Sequence, residues 1–213
     1  MKTNKRWSDE EVDILKSYGN KIKWISEPDS GQSEAINKGF KMVTGDIVTW
    51  LNADDYYQEN IFNKISREFT NNEKLVLLYG NCRSVDEEYS CIKINTPPSR
   101  LNYKKLIRGG NYIYQPSSFY KTDAVKKNNY LDEKLNYWME YDLFIKLLKS
   151  GESKHINITL SNFTIRRDQK SDIRNIIEMD KELISISRKY GGARLSKIYF
   201  STIIHKVISF FRK

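Results

Sequence analysis

Two acidic segments of the sequence carry the side chains best suited to chemistry. An amide and two adjacent carboxylates, Asn52, Asp54 and Asp55, follow directly after an apolar run. Oxygen ligands of this kind hold hard divalent cations, which share them with the phosphates of a nucleotide. The second segment contains Glu140 and Asp142, and a carboxylate held near a hydroxyl group can act as a general base.

Each segment also has an ordinary structural interpretation, which the residue types leave open. Asp55 suits the cap of a following helix, and an acid such as Glu140 near a helix start is favoured by the helix dipole. A third segment, residues 26–40, combines a glycine-containing loop with a helix whose first amide groups can bind phosphate. Its spacing matches neither the P-loop nor the dinucleotide-binding motif, so on physical grounds alone it is a turn and an amphipathic helix.

The elements that must position these segments alternate between strands and helices. Apolar residues at helical spacing predict helices over residues 9–18, 33–43, 58–69 and 138–149. Apolar and β-branched runs predict strands over residues 21–26, 47–51 and 75–79, and a hairpin of 82–85 with 91–94. This alternation predicts an α/β fold with a mostly parallel sheet flanked by helices. Ligands of such sheets bind beyond the carboxyl ends of the strands.

The composition excludes several classes of protein. The chain has 213 residues, of which 39% are hydrophobic, so it has the size and the apolar content of one globular domain. Two cysteines and two distant histidines exclude a disulfide scaffold and a zinc cluster. Cys82 and Cys91 are expected to be reduced, even if they face each other in the hairpin. No apolar run is long enough to span a membrane and no secretory signal is present, which predicts a cytoplasmic protein.

The net charge of +9 is compatible with nucleic acid, an anionic membrane or a phosphate-bearing ligand as partner. Acidic residues are interleaved with the basic ones almost everywhere except at the C-terminus, and no nucleic-acid-binding motif of known spacing is present. We therefore expect no nucleic acid partner.

Four segments, taken in order, resemble the glycosyltransferase family 2 enzymes, which have the GT-A fold. They are residues 26–40, residues 50–55, the Gln-Pro-Ser-Ser-Phe-Tyr run of 115–120, and residues 131–148 with their Glu-Tyr-Asp-Leu-Phe core. Each motif is weak alone, and the specificity lies in their order and spacing. The resemblance extends from about residue 9 to about residue 171.

The resemblance implies transfer of a sugar from a nucleotide-sugar donor to an acceptor hydroxyl, with inversion at the anomeric carbon. It places Glu140 at the position of the family's catalytic carboxylate, with Asp142 as the reserve candidate. Asp54 and Asp55 correspond to the metal-binding region, which implies a divalent cation, Mn²⁺ or Mg²⁺. The residues implied to bind the nucleotide sugar are Gln32, Asn37, Asn52, Asp54 and Gln115.

Three departures from the family pattern stand out. The family normally begins with a strand, a loop, a helix and a second strand, and this sequence resembles it only from the end of that unit onward. We therefore expect a GT-A domain that is incomplete at its N-terminus. Asn52 replaces the first carboxylate of the family's Asp-x-Asp motif, which should lower the affinity for metal. Residues 164–171 lack the histidine that the family often has there, so Arg166 or Arg167 either neutralises the diphosphate instead or is a surface charge.

The C-terminal part of the chain differs from the rest. We expect a GT-A-like domain over residues 1–170 and a helical extension over residues 171–213. Residues 171–190 have the pattern of an amphipathic helix. Residues 197–213 place large apolar residues at helical spacing together with four Lys or Arg and no acid. Such a helix suits an anionic membrane surface, and it is equally suited to pack on the domain or on a second copy.

Together these features predict a cytoplasmic glycosyltransferase, peripheral on the inner face of the cell membrane, that acts in polysaccharide or cell-surface glycan synthesis. Its partners are expected to be a nucleotide-sugar donor and a glycan or lipid-linked acceptor. The alternative is a catalytically inactive truncated remnant or a non-enzymatic binding subunit, and the missing N-terminal unit motivates that alternative.

Overall fold

The computed structural model describes residues 9–166, 175–192, 198 and 202. Within these residues the helices are α1 (Asp9–Ser17), α2 (Gln32–Met42), α3 (Phe62–Thr70), α4 (Tyr103–Gly109), α5 (Thr122–Lys127), α6 (Met139–Ser150) and α7 (Ile176–Lys189). The strands are β1 (Ile47–Val48), β2 (Tyr56–Tyr57), β3 (Leu75–Val85), β4 (Cys91–Asn95), β5 (Ser118–Lys121) and β6 (Glu152–Thr164). Short 3-10 turns occupy Gly19–Lys21 and Gln115–Ser117.

The strands form one six-stranded sheet, which together with the helices confirms the predicted α/β class. The strand order is β1-β5-β3-β6-β2, and β4 pairs with the carboxyl-terminal half of β3. Among the described strands only the pairing of β3 with β6 is parallel, and the other pairings are antiparallel. The sheet, predicted to be mostly parallel, is therefore mixed. Strand β4 forms a hairpin with β3, and β5 and β2 run antiparallel to the strands with which they pair.

Strand β3 lies at the centre of the sheet and is longer than its apolar pattern indicates, with 11 residues. Its second half contains polar side chains that are buried and hydrogen-bonded. Asn95 Nδ2 donates to Ser84 Oγ at 2.8 Å, and Asn81 Nδ2 donates to Asn157 Oδ1 at 3.1 Å. Buried polar groups require such partners. Because the partners come from distant parts of the chain, the local sequence pattern ends the strand too early.

Helix α6 packs its apolar face on the sheet and carries large side chains of the main core. Tyr141, Phe144 and Leu147 are fully buried there. Helix α7 joins the same core through Ile186, and the hydroxyl of the next residue, Ser187, donates to the carbonyl of residue 107 at 2.6 Å. Helices α6 and α7 are therefore parts of one packed unit.

Most predicted helices are present, and two predicted strands differ. Helices α1, α2, α3 and α6 begin and end within four residues of the predicted bounds. The strand predicted over residues 21–26 is wrong: residues 22–26 are irregular, and Trp24 and Ile25 are exposed, because no described strand pairs with them. The strand predicted over residues 47–51 is two residues long, since its pairing with β5 ends at Val48.

The predicted hairpin is present as β3 and β4, but its cysteines do not face each other. Cys82 lies opposite Asn95, and Cys91 lies opposite Val85. Cys82 is buried, Cys91 is exposed, and both thiols are free. The register therefore separates the two sulfurs, in line with the expected reduced state.

Most of the basic segment at residues 197–213 lies outside the described residues. Ile198 and Thr202 are described, and both side chains are buried in the protein. Among the helices that the structure does describe, none combines the length and the apolar character needed to cross a membrane.

Gly80→Ala should destabilise the protein far more than Gly39→Ala. At Gly80 in β3, an added Cβ would lie 2.6 Å from Leu160 Cδ1 and 2.9 Å from the carbonyl of Ile158, so β3 and β6 would have to separate. Overpacking of this kind costs about 1–3 kcal/mol. Gly39 lies in α2 with open space around the added atom, and alanine favours a helix by about 0.5–1 kcal/mol. Urea denaturation measures both free energies of unfolding, and equal midpoints would contradict the close approach of the two strands.

Candidate active site

One cavity of about 980 Å³ receives most of the predicted site residues. Gln32, Asn52, Asp54, Gln115 and Glu140 all line it. They reach it from the start of α2, the turn after β1, the loop before β5 and the first turn of α6. The cavity has the size of pockets that bind small molecules. The fold therefore brings the residues predicted to bind the donor and the expected catalytic carboxylate to one place.

The turn that follows β1 is fixed by hydrogen bonds of its own side chains. The backbone amide of Asp55 donates to the carbonyl of Asn52 at 3.1 Å, and Asn52 Nδ2 donates to Asp55 Oδ2 at 3.2 Å. From α2, Gln32 Nε2 donates to Asn52 Oδ1 at 3.4 Å. The side chain of Asn52 is thus held between Gln32 and Asp55 at the cavity wall.

Asp55 supports this turn and does not line the main cavity. Its side chain is 6% exposed, and its Oδ1 accepts a hydrogen bond from the backbone amide of Thr164 on β6 at 3.1 Å. Burial raises the pKa of this carboxyl to about 6, opposed by the hydrogen bonds from Thr164 and Asn52 and reinforced by the charge of Asp54. Each oxygen of Asp55 accepts one hydrogen bond from the protein and keeps a second lone pair, and the residue lines a smaller cavity.

Asp54 lies between the main cavity and a smaller one of about 450 Å³. The smaller cavity is lined in part by Glu87, Tyr89 and Arg166. Arg166 Nε lies 3.7 Å from Asp54 Oδ2, and the two side chains form a partly exposed ion pair. One of the two arginines predicted as substitutes for the family histidine is therefore beside the acidic turn. Arg167, the other one, lies outside the described residues.

The side chains around Asp54 fit a metal ion that is bound jointly with a ligand. In the part of the chain that the structure describes, no three His, Cys, Asp or Glu side chains come together as a metal-binding group. Asp54 supplies one carboxylate at the wall of the main cavity. Mg²⁺ is commonly held by one or two carboxylates together with substrate phosphates. Asp54 and a bound diphosphate would provide ligands of that kind.

Gln115 fixes the wall of the cavity next to β1. Its Nε2 donates to the carbonyl of Trp50 at 2.6 Å. The ring of Trp50 packs against Phe40 and Tyr120, with centroid distances of 5.6 and 5.7 Å. Gln115 therefore anchors the segment that leads into the acidic turn. The amide nitrogen of Gln115, which is predicted to contact the donor, already donates a hydrogen bond to Trp50.

Glu140 lies in the first turn of α6, which begins at Met139. Its side chain is half-buried at the wall of the main cavity. The helix dipole stabilises negative charge in the first turn. The carboxylate of Glu140 is therefore placed where it can contact a ligand bound in the cavity.

Asn37 and Asp142 do not line the main cavity, and each is held by contacts to other parts of the fold. Asn37 is buried; its side chain donates to the carbonyl of Leu131 and accepts from the amide of the same residue, both at 3.0 Å. Asp142 is fully buried, 2.7 Å from Lys146 Nζ and 3.0 Å from Lys189 Nζ. A polar residue on a helix has the same sequence pattern whether its face meets a ligand or another element, so sequence could not separate the two cases.

Sequence reasoning misses the aromatic side chains of the cavity. The half-buried rings that line it are Trp50, Tyr112, Tyr114, Tyr137, Trp138 and Phe163. Such rings offer flat apolar faces, and the phenol and indole groups add hydrogen bonds. The signal available in the sequence is the run Tyr112-Ile113-Tyr114, in which two aromatic residues flank an apolar one just before Gln115.

Comparison with known families assigns the chain to a group of enzymes. The model of "Glycosyl transferase family 2" matches residues 6–133, more than half of the chain. The chain belongs to glycosyl transferase family 2. This confirms the resemblance found in the order of the motifs. The matched residues include the acidic turn and Gln115, and Glu140 lies seven residues beyond them.

Relatives of this family 2 domain include bacterial synthases. A chondroitin synthase of Pasteurella multocida is 25% identical over 186 residues, which cover 86% of this chain and 19% of that protein. A hyaluronan synthase of P. multocida is 26% identical over 160 residues, 74% of this chain and 16% of that protein. An uncharacterized glycosyltransferase of Rickettsia felis is 28% identical over 157 residues, 66% of this chain and 24% of that protein. The chain thus spans less than a quarter of the length of these three relatives.

Solved structures of glycosyltransferases have the same fold. The 1–349 fragment of S. aureus TarS aligns with a TM-score of 0.57 and 14% identity, over 88% of this chain and 60% of that one. The mannosyltransferase PcManGT of Pyrobaculum calidifontis, in complex with GDP-Man and Mn²⁺, aligns with a TM-score of 0.56 and 7% identity, over 93% of this chain and 56% of that one. At these identities the likeness concerns the fold, and it confirms the predicted GT-A fold.

Proposed function

We propose that this family 2 domain transfers a sugar from a nucleotide-sugar donor to an acceptor hydroxyl, with inversion at the anomeric carbon. The observation that carries the proposal is that Asp54 and Glu140 line one cavity. Such a displacement requires stabilisation of the leaving diphosphate and a base for the attacking hydroxyl. Membership of the family supports the class of reaction.

The donor is proposed to bind between α2 and the acidic turn. Gln32, Asn52 and Gln115 supply amide groups for ribose and phosphate oxygens, and Asp54 faces the diphosphate. A divalent cation, Mn²⁺ or Mg²⁺, held by Asp54 and the diphosphate would offset the negative charge that builds up on the leaving group. The presence of GDP-Man and Mn²⁺ in a solved neighbour of the same fold supports this arrangement.

Arg166 is proposed to assist the same leaving group. Its Nε lies 3.7 Å from Asp54 Oδ2, and its side chain is 51% exposed, so it has room to contact an added phosphate. A guanidinium group binds phosphate oxygens through paired, charge-assisted hydrogen bonds. Arg166 would therefore offset charge in the segment where the family often has a histidine.

The acceptor is proposed to bind at the aromatic part of the cavity, where sugar rings can stack on tyrosine and tryptophan faces. Glu140 accepts the proton of the attacking hydroxyl while the hydroxyl oxygen forms its bond to the anomeric carbon. The bond between that carbon and the diphosphate oxygen breaks, and its electron pair leaves with the diphosphate. Attack from the face opposite the leaving group inverts the configuration.

The product is proposed to be a polysaccharide or another cell-surface glycan, built on a glycan or lipid-linked acceptor. Two relatives are named chondroitin synthase and hyaluronan synthase, which supports a polysaccharide product. The basic sequence pattern of residues 197–213 is the reason for proposing a cytoplasmic position at the inner face of the membrane, and the burial of Ile198 and Thr202 in the protein limits that contact to other residues of the segment.

Calorimetric titration of the purified chain with UDP and then GDP, each with and without Mn²⁺, tests the donor site. We expect one nucleotide to bind, more tightly with metal, and its sugar conjugates then enter a transfer assay with sugar acceptors. A folded chain that binds neither nucleotide contradicts the proposal and favours a catalytically inactive protein. Binding without transfer to any acceptor favours a non-enzymatic binding subunit.

A further inference from the structure

The loop in front of α6 is held by one carboxylate of α7. Glu182 Oε1 accepts hydrogen bonds from the backbone amides of Tyr137 at 2.8 Å and Trp138 at 2.7 Å. Its other oxygen, Oε2, accepts from the backbone amide of Asn136 at 2.8 Å. One side chain therefore binds three consecutive backbone amides that lie 44 to 46 residues away in the sequence.

The three amides lie immediately before α6, with Asn136 and Tyr137 in the loop and Trp138 at the N-cap, so none of them has a partner inside the helix. Trp138 directly precedes α6, and its own side chain makes no capping hydrogen bond to the helix. Glu182 supplies the acceptor from another element, and its negative charge complements the positive end of the helix dipole. Glu140 follows two residues later, so the anchored loop sets the backbone from which Glu140 projects.

Further contacts join α6 to α7 on both sides of the proposed base. On one side, Trp138 Nε1 donates to the carbonyl of Met179 at 2.9 Å. On the other side, Asp142 accepts hydrogen bonds from Lys189 Nζ at 3.0 Å and from the hydroxyl of Tyr190 at 2.8 Å. Desolvation opposes the charge of Lys189, but the hydrogen bond and the charge of Asp142 raise its pKa above the usual value. Contacts with α7 and the residue that follows it thus hold α6 both before and after Glu140 in the sequence.

We propose that Glu182 is a positioning residue: it holds residues 136–138 and thereby aims Glu140 at the acceptor hydroxyl. The role of Glu140 rests on the proposed function, whereas the anchoring of the loop rests on the contacts alone. The three anchored residues also line the cavity, so the same hydrogen bonds shape its wall. Misplacement of a reacting group by an ångström costs about 100-fold in rate.

Glu182→Gln tests this role, and Glu178→Gln is the matched control. Both variants replace a glutamate of α7 by its amide, but Glu178 accepts from the side-chain hydroxyl of Tyr137, at 3.2 Å, rather than from the loop backbone. We expect Glu182→Gln to accelerate amide hydrogen exchange at residues 136–138 by about tenfold and to lower kcat about tenfold to 100-fold, with KM for the donor within about twofold. Glu178→Gln should change neither the exchange rate at residues 136–138 nor kcat by more than about twofold.

Glu182→Ala extends the series, because glutamine keeps one acceptor oxygen whereas alanine keeps none. We expect kcat to fall in the order wild type, Gln, Ala, while the unfolding temperature reports that each variant is folded. If Glu182→Ala fails to fold, the comparison of Glu182→Gln with Glu178→Gln still tests the proposal.

Unchanged exchange at residues 136–138 in the Glu182 variants overturns the proposal. So does faster exchange with an unchanged kcat, or an equal effect of Glu178→Gln. A wild-type chain without any transferase activity refutes the proposed function instead, and the exchange experiment then still decides whether Glu182 anchors the loop.

Discussion

Glu140→Gln is expected to lower the rate of sugar transfer by about 100-fold or more and to leave nucleotide binding within about twofold of the wild type. Glutamine keeps the shape of the side chain but cannot accept the proton of the attacking hydroxyl. Nucleotide binding is expected to persist because the residues proposed to bind the donor, Gln32, Asn52 and Asp54, are unchanged in this variant. Release of nucleoside diphosphate measures kcat, and calorimetry measures binding.

Glu59→Gln is the control for this prediction. It makes the same chemical change at an exposed position that does not line the cavity. Its kcat should equal that of the wild type. Wild-type turnover of Glu140→Gln would show that Glu140 is not the base. Asp142 would be a poor substitute, because it is fully buried between Lys146 and Lys189.

Asp54→Asn is expected to remove the effect of Mn²⁺ on nucleotide binding and to weaken binding in the presence of metal by about tenfold or more. The amide keeps the size of the side chain but loses the negative charge that holds the cation. Without metal we expect no loss of nucleotide affinity in Asp54→Asn. The variant lacks a carboxylate that would repel the negatively charged diphosphate. Calorimetric titrations with and without Mn²⁺ measure both cases.

Asp46→Asn and Arg166→Gln complete the design. Asp46 is exposed in the turn before β1, so its amide variant should bind nucleotide as the wild type does. Arg166→Gln should weaken binding both with and without metal, because the guanidinium group acts on the phosphate directly. A full Mn²⁺ effect in Asp54→Asn would reject Asp54 as a ligand.

Helix positions could be predicted from the sequence because helical periodicity is local. Helices α2 and α6 begin and end within one residue of their predicted bounds. The order of the motifs also identified the family, since order along the chain does not depend on how the chain folds. The residue types that carry chemistry belong to the same local information.

The sheet could not be predicted in full, because a strand depends on partners that are distant in the sequence. The exposed segment around Trp24 has an apolar pattern but no described pairing strand. The polar side chain of Asn81 in β3 can be buried because Asn157 and His155 of β6 supply its hydrogen-bond partners. Strand direction is likewise set by the route of the connections, which local alternation does not encode.

The sequence by itself determined the family, the helices and the carboxylates and amides available for catalysis, because these follow from residue types and spacing. Only the tertiary structure decided which of them face the cavity. Glu140 and Asp142 are two positions apart, which rotates their side chains by about 200° around the axis of α6. One therefore faces the cavity while the other is buried against α7. The anchoring of the loop by Glu182 was equally hidden, because a hydrogen bond across 45 residues leaves no local pattern.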